Sequence, residues 1–141
     1  MPTYTKHPEA PAGHMRLITG RSPVHTFSRT QTNPLLHDLV PDNEVWVNAK
    51  TAAALGLKHR DWVRLKNQDG ARSNRVRVKA TQRIREDTVY LVYGFGHKAP
   101  ALKRANGKGA SAAGLNTRYA TDPLMGATSI HANFVQLVKE A

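Results

Sequence analysis

Residues 44–81 read EVWVNAKTAAALGLKHRDWVRLKNQDGARSNRVRVKAT, and their apolar positions change period twice. EVWV, at 44–47, alternates as a strand does. Asn48 then stands where an N-cap belongs, ahead of AKTAAAL, a short run of strong helix formers. Gly56 is placed to end that helix in the left-handed conformation. The period returns to two over residues 61–68, where Val63 and Leu65 fall on one face and Arg64 and Lys66 on the other. Asp69-Gly70 is a two-residue hairpin signal. The return strand, residues 72–81, turns Val76, Val78 and Ala80 inward and Arg75, Arg77 and Lys79 outward.

Working outward, residues 15–20 (MRLITG) predict another strand that stops at Gly20. A polar loop, RSPVHTFSRTQTN, leads to an apolar stretch at 34–40 with Pro34 at a first helical position. Downstream, TVYLVY at 88–93 is nearly continuous in apolar residues, as a strand buried on both faces would be. A long loop of small residues runs from Gly94 to about Asp122, and residues 130–139 predict a closing strand. The first 14 residues carry Pro2, Pro8 and Pro11 and no apolar run of the signal-peptide kind, so an extended arm or linker tail is expected there. Residues 15–141 are then one domain. Strands dominate two short helices, which predicts a mainly β fold: a small closed barrel with long loops at one end.

Bulk properties narrow the functions. A chain of 141 residues is long enough to bury its own core. The absence of cysteine removes thiolate zinc sites, cysteine-ligated iron–sulfur clusters and cysteine nucleophiles within this sequence. No stretch is long and apolar enough to span a bilayer as a helix, so no direct membrane contact is expected. The net charge is +11, and its placement matters more than its size. Residues 10–37 and 88–121 contain no carboxylate; the first window holds Arg16, Arg21 and Arg29, the second Lys98, Lys103, Arg104, Lys108 and Arg118. Both are largely loop and rich in Gly, Ser, Thr and Asn. Such a surface suits an anionic, phosphate-bearing ligand.

Several familiar motifs fail on context. Residues 94–99, GFGHKA, match G-x-G-x-x-A behind a strand, but Pro100 follows at once and no carboxylate lies about 20 residues on, so a Rossmann unit is disfavoured. The glycines still suit close approach of backbone to a ligand. Gly107-Lys108 lacks the rest of a phosphate-binding P-loop. The seven histidines show no metal-ligand spacing, although His25, His97 and His131 sit in or beside the long loops, where they could bond an anion or a heterocycle. No nucleophile elbow is present. A basic nucleic-acid-binding barrel, with Arg72–Arg85 tracking phosphates, is the competing reading. It is weakened by the small number of aromatics, two Trp, four Tyr and three Phe, of which Trp46, Trp62, Tyr90 and Phe134 are expected to be wholly or partly core.

The order of the pieces carries a resemblance. Thr19-Gly20-Arg21, the loop VHTFSRTQTNP, the segment EVWVNAKTAAALGLKHRDWVRLKNQDG, then YGFGH and AGLNTRYATDPLMG resemble, in that order, the C-terminal dinucleotide-binding domain of the dimethyl-sulfoxide-reductase family of molybdoenzymes. The likeness runs from about Met15 to the end. Within the family the chain looks most like the catalytic subunits of thiosulfate and polysulfide reductases, with tetrathionate and arsenate reductases close. The resemblance implies a six-stranded double-psi β-barrel and, as ligand, the bis(molybdopterin guanine dinucleotide) cofactor that holds molybdenum. It implies that Thr19, Gly20 and Arg21 approach the pterin and pyrophosphate, that His25, Thr26 and Phe27 line the same ligand, that His97 lies in the family's Gly-His loop and that Asn116 bonds the cofactor. His131 falls where some relatives place a lysine. The family's metal-ligating and iron–sulfur regions have no counterpart in these residues. The chain is therefore expected to position the cofactor without turning substrate over, with the remaining domains of a parent catalytic subunit and its electron-transfer subunits as partners and no nucleic acid among them. A stand-alone barrel subunit of a larger enzyme is the alternative. Relatives imply a periplasmic parent.

Overall fold

Alternation of β-branched residues produces a closed sheet in the computed structural model, which describes residue 6 and residues 8–140. In chain order the elements are β1 (Met15–Gly20), α1 (Pro34–Leu39), β2 (Glu44–Asn48), α2 (Ala49–Ala54), β3 (Trp62–Asn67), β4 (Val76–Thr81), β5 (Thr88–Val92), a 3-10 turn (Ala113–Leu115), β6 (Ala120–Thr121), β7 (Thr128–Ser129) and β8 (Phe134–Lys139). Six strands close in the order β1-β5-β2-β4-β3-β8, and β6 pairs with β7 as a separate ribbon. β1 runs parallel to β5, with Arg16 beside Thr88 and Gly20 beside Val92. β2 runs parallel to β4, and the remaining pairs are antiparallel. The parallel pairs require crossovers, one of which contains α2 and β3. The mainly β, six-stranded barrel expected from the sequence is the fold observed.

Closure leaves the barrel itself no edge for another chain to pair with. The inward positions are completely buried: Leu17, Val45, Val47, Val63, Leu65, Val76, Val78, Val89, Leu91 and Val135. α2 forms as the sequence predicts. Asn48 Oδ1 accepts from Lys50 N at 2.9 Å, its Nδ2 donates to Ile84 O at 2.7 Å, and Gly56 takes φ +66° just beyond the helix. Asn33 caps α1 in the same way, accepting from Leu35 N and Leu36 N.

Three boundaries differ from expectation, each for a local reason. The strand after the hairpin starts at Val76 rather than residue 72. Ser73 interrupts it by offering Oγ to Leu65 N at 3.0 Å while its own N donates to Leu65 O at 2.9 Å. The turn is also wider than two residues: Gly70, at φ +90°, donates to Asn67 O, and Asn67 N donates to Ala71 O. The closing strand starts at Phe134, not residue 130, because buried Asn133 bonds the loops instead of continuing the ladder. β5 is buried on one face, not both. Val89 and Leu91 point into the core, whereas Tyr90 is half-buried and packs edge-on against Trp46 at 5.3 Å. Of the predicted arm, residues 1–5 and 7 lie outside the described residues; farther along, Arg16 donates to Pro8 O at 2.7 Å.

Leu65 is fully buried and tightly surrounded. Leu65→Ala should lower the unfolding free energy by about 2–5 kcal/mol, read by urea denaturation, whereas exposed Lys98→Ala should change it by under about 0.5 kcal/mol.

Candidate functional site

Strand direction collects the long loops at one mouth of the barrel. β1 and β5 end together at Gly20 and Val92, and the start of β2 lies beside that end of β5. The chain entering β8 runs back along β1, so that His131 Nε2 meets Thr19 Oγ1 at 3.2 Å. Residues 21–43 and 93–133 leave and return here.

Three buried asparagines fix these loops. Asn43 Nδ2 donates to Val92 O and Ala110 O, at 2.8 and 2.9 Å, and its Oδ1 accepts from Ala110 N at 2.8 Å. Asn67 donates to Leu115 O and Thr117 Oγ1 while accepting from Asp69 N and Ala71 N. Asn133 accepts from Thr117 N and Arg118 N and donates to Arg118 O and Ile130 O. None of the three was singled out from the sequence as a site residue. Asn43 falls just before a predicted strand and Asn67 near the end of one, but Asn133 lies within the predicted closing strand, so nothing in the sequence marked the three together.

The residues implied by the resemblance separate into groups. Arg21, Phe27 and Tyr93 are stacked in sequence: the Arg21 guanidinium lies 4.9 Å over the Phe27 ring, which meets Tyr93 edge-on at 6.3 Å. Tyr93 Oη accepts from Asn116 Nδ2 at 2.5 Å. Gly20 ties into this line, since Gly20 O accepts from Tyr93 N at 2.9 Å. Phe27, Tyr93 and His97, with Gly94, Gly96 and Ser111, line a cavity of about 300 Å³. His97 Nε2 is buried without a hydrogen-bond partner. No carboxylate lines this cavity.

His25 and Thr26 stand apart from that wall. His25 is buried; its Nε2 donates to Val40 O at 2.8 Å and its Nδ1 meets Thr30 Oγ1 at 3.2 Å. With both nitrogens engaged, the ring shapes the 21–43 loop. Thr26 is exposed and donates its N–H to the same Thr30 hydroxyl. Thr19 and His131 pair on the other side of β1, beside a groove that also contains Arg16 and Phe134.

The glycines of GFGHKA serve a purpose different from the one read in the sequence. A Cβ on Gly94, at φ +99°, would lie 2.3 Å from the Phe27 carbonyl carbon, and one on Gly96 would lie 2.4 Å from Ser111 N. The close approach they permit is between two loops of the chain itself, which is what shapes the cavity. Farther around the mouth, Arg118 clasps Asp69 at 2.5 Å. That hydrogen bond, with those from Thr117 and Gln68, holds the Asp69 carboxyl well below the usual carboxylate range. Among the described residues no group of three or more His, Cys, Asp or Glu is placed to hold a metal ion.

Two predictions follow from this geometry. Gly94→Ala should destabilise the chain by more than about 2 kcal/mol and move the amide resonances of residues 21–30. Gly56→Ala, with a similar φ but open space around the new methyl, should cost only the backbone term of roughly 1–2 kcal/mol; equal losses would show that the clash is not what matters. Because folding depresses the Asp69 pKa, its contribution is complete above the unfolded value near 3.8 and is lost as pH falls through the lower folded value. Asp69→Asn should therefore flatten the fall in melting temperature between pH 5 and pH 2, measured as about 5 and about 2 in matched buffers.

Comparison with known proteins agrees with this arrangement. The family described as "Molydopterin dinucleotide binding domain" matches residues 15–134. The chain is 38% identical over 120 residues to the thiosulfate reductase molybdopterin-containing subunit PhsA of Salmonella typhimurium, covering 85% of this chain and 15% of that protein. It is 30% identical to the dopamine dehydroxylase of Eggerthella lenta, covering 99% of this chain and 14% of the relative. Acetylene hydratase from Pelobacter acetylenicus shares the fold, with a TM-score of 0.69 at 19% identity over 89% of this chain and 18% of that one. The chain thus spans about one-seventh of the length of the curated relatives it matches. A closed six-stranded barrel with its loops gathered at one mouth, matched by this profile over nearly its whole length, belongs to the molydopterin dinucleotide binding domain family of molybdoenzymes.

Proposed function

We propose that this domain grips one nucleotide end of a bis(molybdopterin guanine dinucleotide) cofactor at the barrel mouth, within a molybdenum oxidoreductase that reduces thiosulfate, polysulfide, tetrathionate or arsenate. The observation that carries the reading is the carboxylate-free cavity lined by Phe27, Tyr93, His97 and Ser111 beside the Arg21–Phe27–Tyr93 stack. The residues fit the group. Arg21 offers a guanidinium fork of the kind that pairs with phosphate, and its stacking on Phe27 holds that fork in place. His97 and Ser111 offer polar atoms, and Phe27 and Tyr93 offer ring surface to a flat heterocycle. Asn116 Nδ2 donates to Tyr93 Oη and so holds that ring in the wall.

When bound, the cofactor supplies the redox chemistry at its molybdenum, while the protein supplies position and electrostatics. Basic, acid-free loops favour the anion over water. His131, which bonds Thr19, lines the adjoining groove with Arg16, Arg83 and Arg85 and the carboxylates Glu9 and Asp87. In this reading the remaining domains of the parent subunit complete the site, electron-transfer subunits deliver electrons, and the parent works in the periplasm. The first of these is supported by the chain's covering 15% of the thiosulfate reductase subunit it resembles; the other two rest on the family resemblance alone.

Guanosine diphosphate, added in moderate salt, should shift amides of residues 20–30 and 94–116. Shifts confined to residues 72–85 that vanish with added salt would overturn the assignment in favour of nonspecific charge. His97→Ala should weaken binding about fivefold, as expected for losing one hydrogen bond worth about 1 kcal/mol. The chain alone should reduce no thiosulfate with a viologen donor; turnover would refute the positioning role.

A further inference from the structure

The strongest feature outside the mouth is the outer face of β3, β4, β2 and β5, where cations and aromatic rings alternate. Trp62 is in register with Arg77, and Trp46 with both Lys79 and Tyr90. Arg75 and Arg77 guanidinium carbons lie 4.7 and 4.8 Å from the centre of the Trp62 ring, and Lys79 Nζ lies 4.2 Å from that of Trp46. Among the described residues none of Arg75, Arg77 and Lys79 has a carboxylate partner within 4.0 Å. The cleft beside them, about 590 Å³, adds Arg60 and Lys108. Asp42 and Glu44 also line it, so its local charge is positive without being uniformly so.

We propose that this face docks an acidic stretch of a partner polypeptide. Trp, Tyr and Arg are the residue types that concentrate binding energy at protein interfaces, and here they form one contiguous row. The rings have cations of the chain itself against them, which makes them poor platforms for stacking nucleic-acid bases. The same stacking holds the guanidinium forks in fixed positions, which suits bidentate pairing with carboxylates. None of the row's own side chains lines the His97 cavity, although Arg21 shares a cleft with Trp46, Lys79 and Tyr90; the inference does not depend on what the His97 cavity binds.

Both tryptophans of the chain lie on this face, so intrinsic fluorescence reports on it directly. The full chain would be titrated with a decaglutamate peptide and, separately, with a ten-nucleotide thymidylate strand. The peptide should change tryptophan emission, and its affinity should fall about tenfold or more as salt rises from low to a few hundred millimolar. Arg77→Gln should weaken it about tenfold, and exposed Arg75→Glu should do the same, while guanosine diphosphate shifts at residues 94–97 and 111–113, which line the His97 cavity, stay unchanged. Tighter binding of the oligonucleotide, no binding of the peptide, or peptide binding that ignores these substitutions would each overturn the proposal.

Discussion

Everything at the mouth of this barrel rests on satisfying loop backbone where no sheet can reach it. The strands exhaust their own hydrogen bonds in closing, yet the loops over the mouth are partly buried, and buried peptide groups cannot be left unpaired. Asn43, Asn67 and Asn133 resolve this because a carboxamide offers the same donor and acceptor as a peptide. Each is at least 96% buried and each uses both functions. An aspartate in any of these places would supply acceptors only, and a leucine neither. Removing one partner from such a network costs more than the bond itself, because the remaining groups are stranded away from water.

This arrangement lets irregular loops present a defined wall. The 94–116 segment is tied to β2 through Asn43 and Ala110, and to Tyr93 through Asn116. The 21–43 loop is held from inside by His25 and pressed against Gly94 at Phe27. Phe27 itself takes φ +49°, a conformation that costs a non-glycine residue free energy, and Gln31 Nε2 bonds its carbonyl at 3.1 Å. The wall is therefore set before a ligand arrives, which lowers the ordering cost of binding.

The difference between what the sequence revealed and what it concealed follows the range of the interactions. β2, α2 and β3 were legible because alternation, an Asn cap and a terminal Gly act within a few residues. The acid-free windows were legible as charge, and they do contain the cavity. The partners of Asn43, Asn67 and Asn133 lie far along the chain and leave no periodic trace, so their importance was invisible. Gly94 and Gly96 were read as making room for a ligand, but only the packed loops show that the room is for Phe27 and Ser111. His25 and His97 were indistinguishable in sequence; burial gave one ring two partners and left the other with a nitrogen free.

A domain that corresponds to about one-seventh of its relatives' length could be a mere fragment of a shared core, and here it is not. The inward residues of all six strands pack on one another, and the sheet closes without an edge, so the hydrophobic stabilisation is internal. The mouth is different in kind. Its cavity opens to solvent on one side, and about 300 Å³ is at the small end of ligand sites, too little to enclose a dinucleotide. Folding and the shape of the mouth are thus separable: the barrel forms its own core, and its asparagine ties establish the shape of one wall. The two demands also favour different residues: branched aliphatics inside for closure, and at the rim carboxamides and glycines that hold the loops together.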